Sequence, residues 1–270
     1  MNARVERTLT HYSALTELVD YVNDRLLQSV ARGKSEPGIS VRCGHLQLAP
    51  DRIEARVGPF RLASTALPLK PVVAEEPLAW WRNVSVTSTS GNTVSADALI
   101  RLQTSEEAAV AMDRLYRLLH TLNHLAVAGE DELLWVPLSR RHLAAVEGGH
   151  GGFFEEVLLA CGVGPERLVL LVNADAMGDA EWLRVTKACE NYRTRGFGIA
   201  LHAGRCATEL RHRVLRELQP NWLAVPAGLV AAVRAVAPGL PVVALGGVEA
   251  GLQPGDRYAA HWGAVPRFTA

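Results

Sequence analysis

Two histidines four residues apart, His120 and His124, sit in a Leu-rich stretch of helical spacing. A pair at i and i+4 on one helix face is a geometry that can hold zinc. No third ligand stands near them in sequence, so they read as surface or interface histidines. His202 follows the apolar run FGIAL, the kind of strand end where barrel enzymes gather their chemistry. The stretch GGHGG at 148–152 could cradle a phosphate with backbone amides, but it lacks the Lys and Ser/Thr of a P-loop and reads as a loop before a helix. Gly246 and Gly247 close the run PVVAL, as in barrels that admit a phosphate beside a late strand. That signal keeps a phosphate-handling barrel enzyme as an alternative. The adjacent Trp80 and Trp81 cannot both point inward from one strand, because successive side chains alternate. Trp80, Trp81 and Arg82 are therefore the candidate contact to a ligand or partner.

The elements that must position these residues are legible as a rhythm. Short apolar runs at 132–138, 167–174, 197–203, 221–226 and 241–247 alternate with helical segments near 151–162, 178–194, 206–218 and 227–237. Strands separated by crossovers of that length imply a parallel sheet. With two or three more strands from residues 40–100, closure into a barrel is the economical solution, an open doubly wound sheet being the alternative. Ahead of this, Leu9, Leu15, Leu18, Val19, Val22, Leu26 and Leu27 predict one amphipathic helix over Val5–Ala31. Two domains follow: residues 1–55, a helix with short strands, and residues 56–270, the barrel.

Composition bounds the function. There are 28 basic and 28 acidic residues, a formal net charge of zero, which gives no field for nonspecific nucleic-acid binding. The densest cationic cluster, Arg205, Arg211, His212, Arg213 and Arg216, reads as a solvated helix face. Cys43, Cys161, Cys189 and Cys206 form no CxxC pair and suit a reducing cytoplasm. No signal peptide is expected. The most apolar stretch, Leu223–Leu240, is interrupted by Pro226, Arg234 and Pro238, so no membrane association is expected. The expected location is cytoplasmic.

Four blocks, in order, resemble the EAL-domain family of bacterial cyclic di-GMP phosphodiesterases. SADALIRLQTSEEAAVAMDRLYRLLHTL resembles that family's helical block, with Asp113 and Arg114 in register. CGVGPERLVLLVNADAM resembles the stretch around "EITE", RTRGFGIALHAGRCATELRHRVLRELQPNWLAVP the stretch from "DDFGTG" to "KID", and PVVALGGVEAGLQ the "AEGVET" block. The resemblance runs from about Phe60 to the C-terminus and implies an EAL-type (β/α)8 barrel with one antiparallel strand, preceded here by an N-terminal helical extension. It also implies a two-metal site for phosphodiester hydrolysis. In the first motif, Glu76 and Leu78 stand where "EALLRW" has its Glu and Leu, and Trp80 stands at its Arg. Pro137 stands at the Asn of "vNlS", and Leu171 at the first Glu of "EITE". His202 and Ala203 stand at the paired Asp, Ala224 at the Lys of "KID", and Leu245 at the Glu of "AEG". Glu249 matches the second Glu of that block after an insertion at Gly246-Gly247.

Leucine, proline and alanine side chains give Mg²⁺ no oxygen. The expectation is therefore no catalytic residue, no metal and no cofactor. The chain reads as a catalytically inactive EAL-like domain, a regulator or scaffold in bacterial signalling with a protein partner and, by analogy with that family, a homodimer. Cyclic di-GMP is not the expected ligand, and a noncatalytic cyclic di-GMP receptor is the alternative.

Overall fold

A computed structural model describes residues 15–28, 44–146, 151–175, 177–204, 214–247 and 251–259. The chain divides into two units, one formed by Met1–Ser64 with Val84–Ala128 and the other by Thr65–Asn83 with Gly129–Ala270. Two of the three breaks fall inside long strands: β3 (Phe60–Pro71) and β4 (Ala79–Ser88) contribute residues to both.

In the first unit, α1 spans 15–28 and buries Val19, Val22 and Leu26. The parts of the expected Val5–Ala31 helix before 15 and after 28 lie outside the described residues. Strands β1 (His45–Leu48) and β2 (Ile53–Val57) form an antiparallel ladder with β3. Strand β5 (Thr93–Val94) pairs antiparallel with the end of β4. Two helices follow, each started by a serine. Ser95 accepts from the Ala98 amide ahead of α2 (Ala96–Arg101), and Ser105 accepts from the Ala108 amide ahead of α3 (Glu106–Leu125). Glu106 and Glu107 in the first turn of α3 favour the positive end of its dipole.

Helix α3 is buried on most of its faces and carries its polar groups as internal pairs. Arg117 meets Asp113 one turn back at 2.9 Å, both buried. The Asn123 amide acts as a strand surrogate: Oδ1 accepts from Ile53 N at 3.1 Å and Nδ2 donates to Ile53 O at 2.8 Å. Asn23 of α1 does the same for Leu46 on β1, at 2.8 and 2.9 Å. Two helices thus satisfy backbone groups that the ladder leaves open, which buried or half-buried peptide groups require.

In the second unit, β3 and β4 are joined by β6 (Leu133–Leu138), β7 (Leu168–Asn173), β8 (Gly198–His202), β9 (Trp222–Pro226), β10 (Val242–Leu245) and β11 (Arg257–Ala259). Their order is β3-β11-β10-β9-β8-β7-β6-β4, and pairing of β3 with β4 closes an eight-stranded barrel. Strands β4 and β6 to β11 are mutually parallel, and β3 runs antiparallel to β11. The expected barrel with one antiparallel strand is present, not the open sheet. The crossover helices are α4 (Arg140–Ala145), α5 (Gly152–Ala160), α6 (Asp179–Arg193) and α7 (Val230–Val236). Of the helix expected over 206–218, residues 214–218 form a π-helical turn and 206–213 lie outside the described residues.

Runs such as Leu168–Asn173 are buried on both faces, which is why they read as unbroken hydrocarbon. The interior holds Leu69, Ala79, Trp81, Trp135, Val169, Leu171, Ala200, Ala224, Val243, Leu245 and Ala259, with Trp222 packed against them. Trp135 and Trp222 lie with ring centroids 5.5 Å apart. Room for Trp222 comes from Gly198, where a Cβ would stand 3.2 Å from that indole. Residues 40–100 supply five strands rather than the two or three expected, because β1 to β3 reverse through turns of two to four residues. Asn123→Ala strands both Ile53 peptide groups and should lower unfolding free energy by about 2–4 kcal/mol, measured by urea denaturation.

Candidate functional site

Because seven strands run parallel, their C-terminal ends lie at one end of the barrel, where barrel active sites form. Register brings the positions singled out in the sequence together there. Pro137 lies opposite Leu171, Leu171 opposite Ala200, and Asn173 opposite His202. His202 lies opposite Ala224, Ala224 opposite Val243, and Leu245 opposite both Pro226 and Ala259. Leu171, Ala224 and Leu245 belong to the buried apolar cluster with Trp81 and Trp135. Ala203 is buried, its amide donating to Ala224 O at 3.0 Å.

The polar groups at this end are engaged with one another. Asn173 Oδ1 accepts from Asp175 N at 2.9 Å, and Asp175 Oδ1 accepts from Gly204 N at 3.1 Å. Arg140 donates to Asp175 O at 2.9 Å and pairs with Glu181 at 3.3 Å. Asp175 Oδ2 stands 3.9 Å from His202 Nδ1, and the imidazole is buried rather than lying in an open loop. Burial pushes the His202 pKa down, and the Asp175 charge opposes that shift. The sequence reading missed Asp175; its only signal was an Asn-x-Asp turn after the apolar run of β7.

A pair of divalent cations needs several oxygen ligands, and the residues present do not fit one. Pro137, Leu171, Ala224 and Leu245 bring hydrocarbon, while Asn173 Oδ1 and Asp175 Oδ1 already accept backbone amides. Among the described residues, no three of His, Cys, Asp or Glu gather around a common point.

Glu76 and Leu78 are not brought to this end. Both precede β4, at the N-terminal ends of the parallel strands. There Glu76 Oε1 accepts from Gly255 N at 2.9 Å, and Leu78 O accepts from Leu133 N. The nearby Arg257 guanidinium is buried and donates to Pro77 O; burial lowers its pKa and the Glu76 charge opposes this. Glu76 thus serves a loop clamp at the opposite end of the barrel from the motif positions on β6 to β10. Glu249 lies outside the described residues.

The candidate contact trio is largely closed. Trp81 is fully buried inside the barrel, and Arg82 is buried with its pKa lowered to about 10 by desolvation. Trp80 points the other way from Trp81, and its indole N–H donates to Glu132 at 2.8 Å. His120 and His124 are buried, which corrects the surface reading: α3 is an internal helix, and His120 Nδ1 bonds to the Ser64 hydroxyl at 2.9 Å. Gly246 and Gly247 adopt φ of 101° and 146°, and the Gly246 amide, a donor the phosphate reading needs, is used by Ala259 O at 3.0 Å. Gly151, at φ 86°, heads α5, and residues 148–150 lie outside the described residues. So do Arg205, Arg211, His212 and Arg213, and the thiols of Cys43 and Cys206. Burial pushes Cys161 up to about 11 and Cys189 up to about 12, which makes both poor nucleophiles. Among the described residues, no helix is long and apolar enough to cross a membrane.

A closed barrel of one antiparallel and seven parallel strands, with these crossovers, is the EAL-domain fold. The chain superposes on the EAL domain of FimX from Pseudomonas aeruginosa, bound to c-di-GMP, with a TM-score of 0.57 and 14% identity over 74% of this chain and 88% of that one. It matches Bacillus subtilis YkuI, a protein with an EAL domain in complex with c-di-GMP and calcium, with a TM-score of 0.55 and 18% identity over 68% of this chain and 48% of that one. It matches Klebsiella pneumoniae BlrP1, in a manganese and cyclic di-GMP complex, with a TM-score of 0.53 and 17% identity over 75% of this chain and 58% of that one. The chain thus spans about half the length of YkuI. No family model and no curated protein matches the sequence.

Two substitutions probe this end of the barrel. Leu171→Glu puts a carboxyl into a fully buried apolar position, raising its pKa above the ordinary value of about 4.3. Relative to the parent, the variant should be least destabilised below that pH. It should then lose up to about 1.4 kcal/mol per unit as pH rises through the window where only the unfolded chain ionises. Urea melts across pH measure this. His202 has the opposite sense. Its folded pKa lies below 6.5, so below that pH the unfolded chain takes up a proton that the folded chain resists. Its share of stability is lost as pH falls from 6.5 towards the folded pKa, and His202→Gln should flatten that part of the stability–pH curve.

Proposed function

We propose that this chain is a noncatalytic EAL-like domain that acts by protein contact, as a regulator or scaffold in cyclic di-GMP signalling. The observation that carries the reading is chemical. The strand ends at which the family's reaction needs oxygen and ammonium groups bear Pro137, Leu171, Ala224 and Leu245, and three of these pack into the barrel core. A phosphodiester is hydrolysed at a useful rate when cations or donors stabilise the charge that develops on its phosphate. Hydrocarbon supplies neither. Asp175 and His202 remain, but one Asp and one buried imidazole do not make a binuclear site.

The second reading is a noncatalytic receptor for the dinucleotide, favoured by the fact that the FimX domain and YkuI hold c-di-GMP in their complexes. Against it stands the enclosure of Trp81 and Arg82. The test is calorimetric titration of the purified protein with cyclic di-GMP, followed by chromatography of the same dinucleotide after incubation with Mg²⁺ or Mn²⁺. The noncatalytic, contact-based reading expects neither heat of binding nor linear product. Saturable heat without product would move the assignment to the receptor, and metal-dependent product would overturn the noncatalytic reading.

A further inference from the structure

The β1–β2–β3 ladder has one face covered by α3, towards which Ile53, Ala55 and Leu62 turn, and an opposite face that carries charge. On that open face the register sets His45 opposite Arg56 and Arg56 opposite Arg61, a line of three basic residues running straight across three strands. All three are exposed. Like charges directly opposite each other disfavour the sheet, and Arg56 and Arg61 make such a pair. The one carboxylate on that side of the three strands, Glu54, is buried between Arg52, at 2.8 Å, and Arg61, at 4.0 Å. The Arg56 guanidinium has no ion-pair or hydrogen-bond partner among the described residues.

The same unit presents a complementary face. Helix α1 turns Val19, Val22 and Leu26 inward and leaves Glu17, Asp20, Tyr21, Asp24 and Leu27 exposed. Glu17, Asp20 and Asp24 recur at i, i+3 and i+7, one stripe of a helix, with the exposed Tyr21 and Leu27 beside it. The two charge rows have the same length. Seven helical residues rise about 10.5 Å, and two interstrand spacings span about 9.6 Å. Within one protomer Asn23 fastens α1 to β1, the strand that carries His45.

We propose that this face is a self-association surface. The α1 stripe of one copy lies across the His45–Arg56–Arg61 row of a second copy, and a two-fold axis repeats the contact in reverse. A net charge of zero, with its signs segregated on neighbouring surfaces, suits such self-complementarity. The inference is independent of whether the barrel binds or cleaves a dinucleotide.

Charge exchange tests it. Light scattering coupled to size-exclusion chromatography should find a dimer at about 20 mM salt whose dissociation constant rises at least about tenfold by about 0.5 M. The variant Arg56→Glu/Arg61→Glu and the variant Asp20→Lys/Asp24→Lys should each be monomeric alone at low salt. Mixed in equal amounts they should form a heterodimer, since acidic then meets basic at both copies of the contact. That recovery also shows that both variants are folded. A protein monomeric under every condition, a dimer that survives either double substitution, or variants that fail to pair on mixing would each overturn the proposal.

Discussion

A closed eight-stranded barrel leaves an interior that only side chains can fill, and the character of that filling decides what the rest of the chain can do. Here the filling is hydrocarbon and indole. Trp81, Trp135 and Trp222 occupy the bulk of it, and Gly198, Ala200 and Ala224 are the small residues beside which such large rings fit. Close packing of this kind fixes strand tilt and register together, because a change at one position is felt by its neighbours. Polar groups that could hold ions at the C-terminal end would have to be desolvated on folding, and each must then find a partner. With leucine and alanine at those positions no such cost arises, and the core continues to the strand ends.

The opposite end of the barrel shows how the chain handles groups it does bury. Asp256 is fully buried and accepts from Val242 N and Gln253 N, both at 2.7 Å, while pairing with Arg234 of α7. Its backbone accepts from Val72 N. One carboxylate thereby ties the start of β10, the loop ahead of β11, α7 and the segment after β3. Glu76, with Gly255 N beside it and Arg257 nearby, extends the same arrangement. Both acids sit at the end of the barrel away from the strand C-termini, and their partners are backbone amides and arginines that hold them in place.

The core of the fold was legible because strands buried on both faces cannot disguise themselves. Runs such as LVLLVN, and the spacing between them, left little but a parallel sheet with crossovers. Strand β11 was not legible: three residues, Arg257–Ala259, include a charged side chain that only the bottom of a barrel explains. The motif positions near β6 to β10 lie on adjacent parallel strands, where register sets each opposite a position on the next strand. Glu76 was misplaced for the converse reason. A short string such as EPLAWW matches a motif by letters, while the strand that would carry it to the site begins only at Ala79. His120 and His124 misled because a helical stripe gives spacing but not depth, and α3 is buried around most of its circumference.

The two units also divide the physical tasks. In the barrel unit the interior cluster is apolar. In the other unit a three-strand ladder keeps a basic row on its open face while helices satisfy the backbone of its covered side through Asn23 and Asn123. Antiparallel ladders tolerate one solvated face, so that row is compatible with the monomer. Compatibility does not account for its arrangement, because moving Arg56 or Arg61 to another exposed position would relieve the cross-strand repulsion without touching the core. An opposed surface of matching length and opposite sign removes that repulsion, and the chain carries one on the adjoining helix.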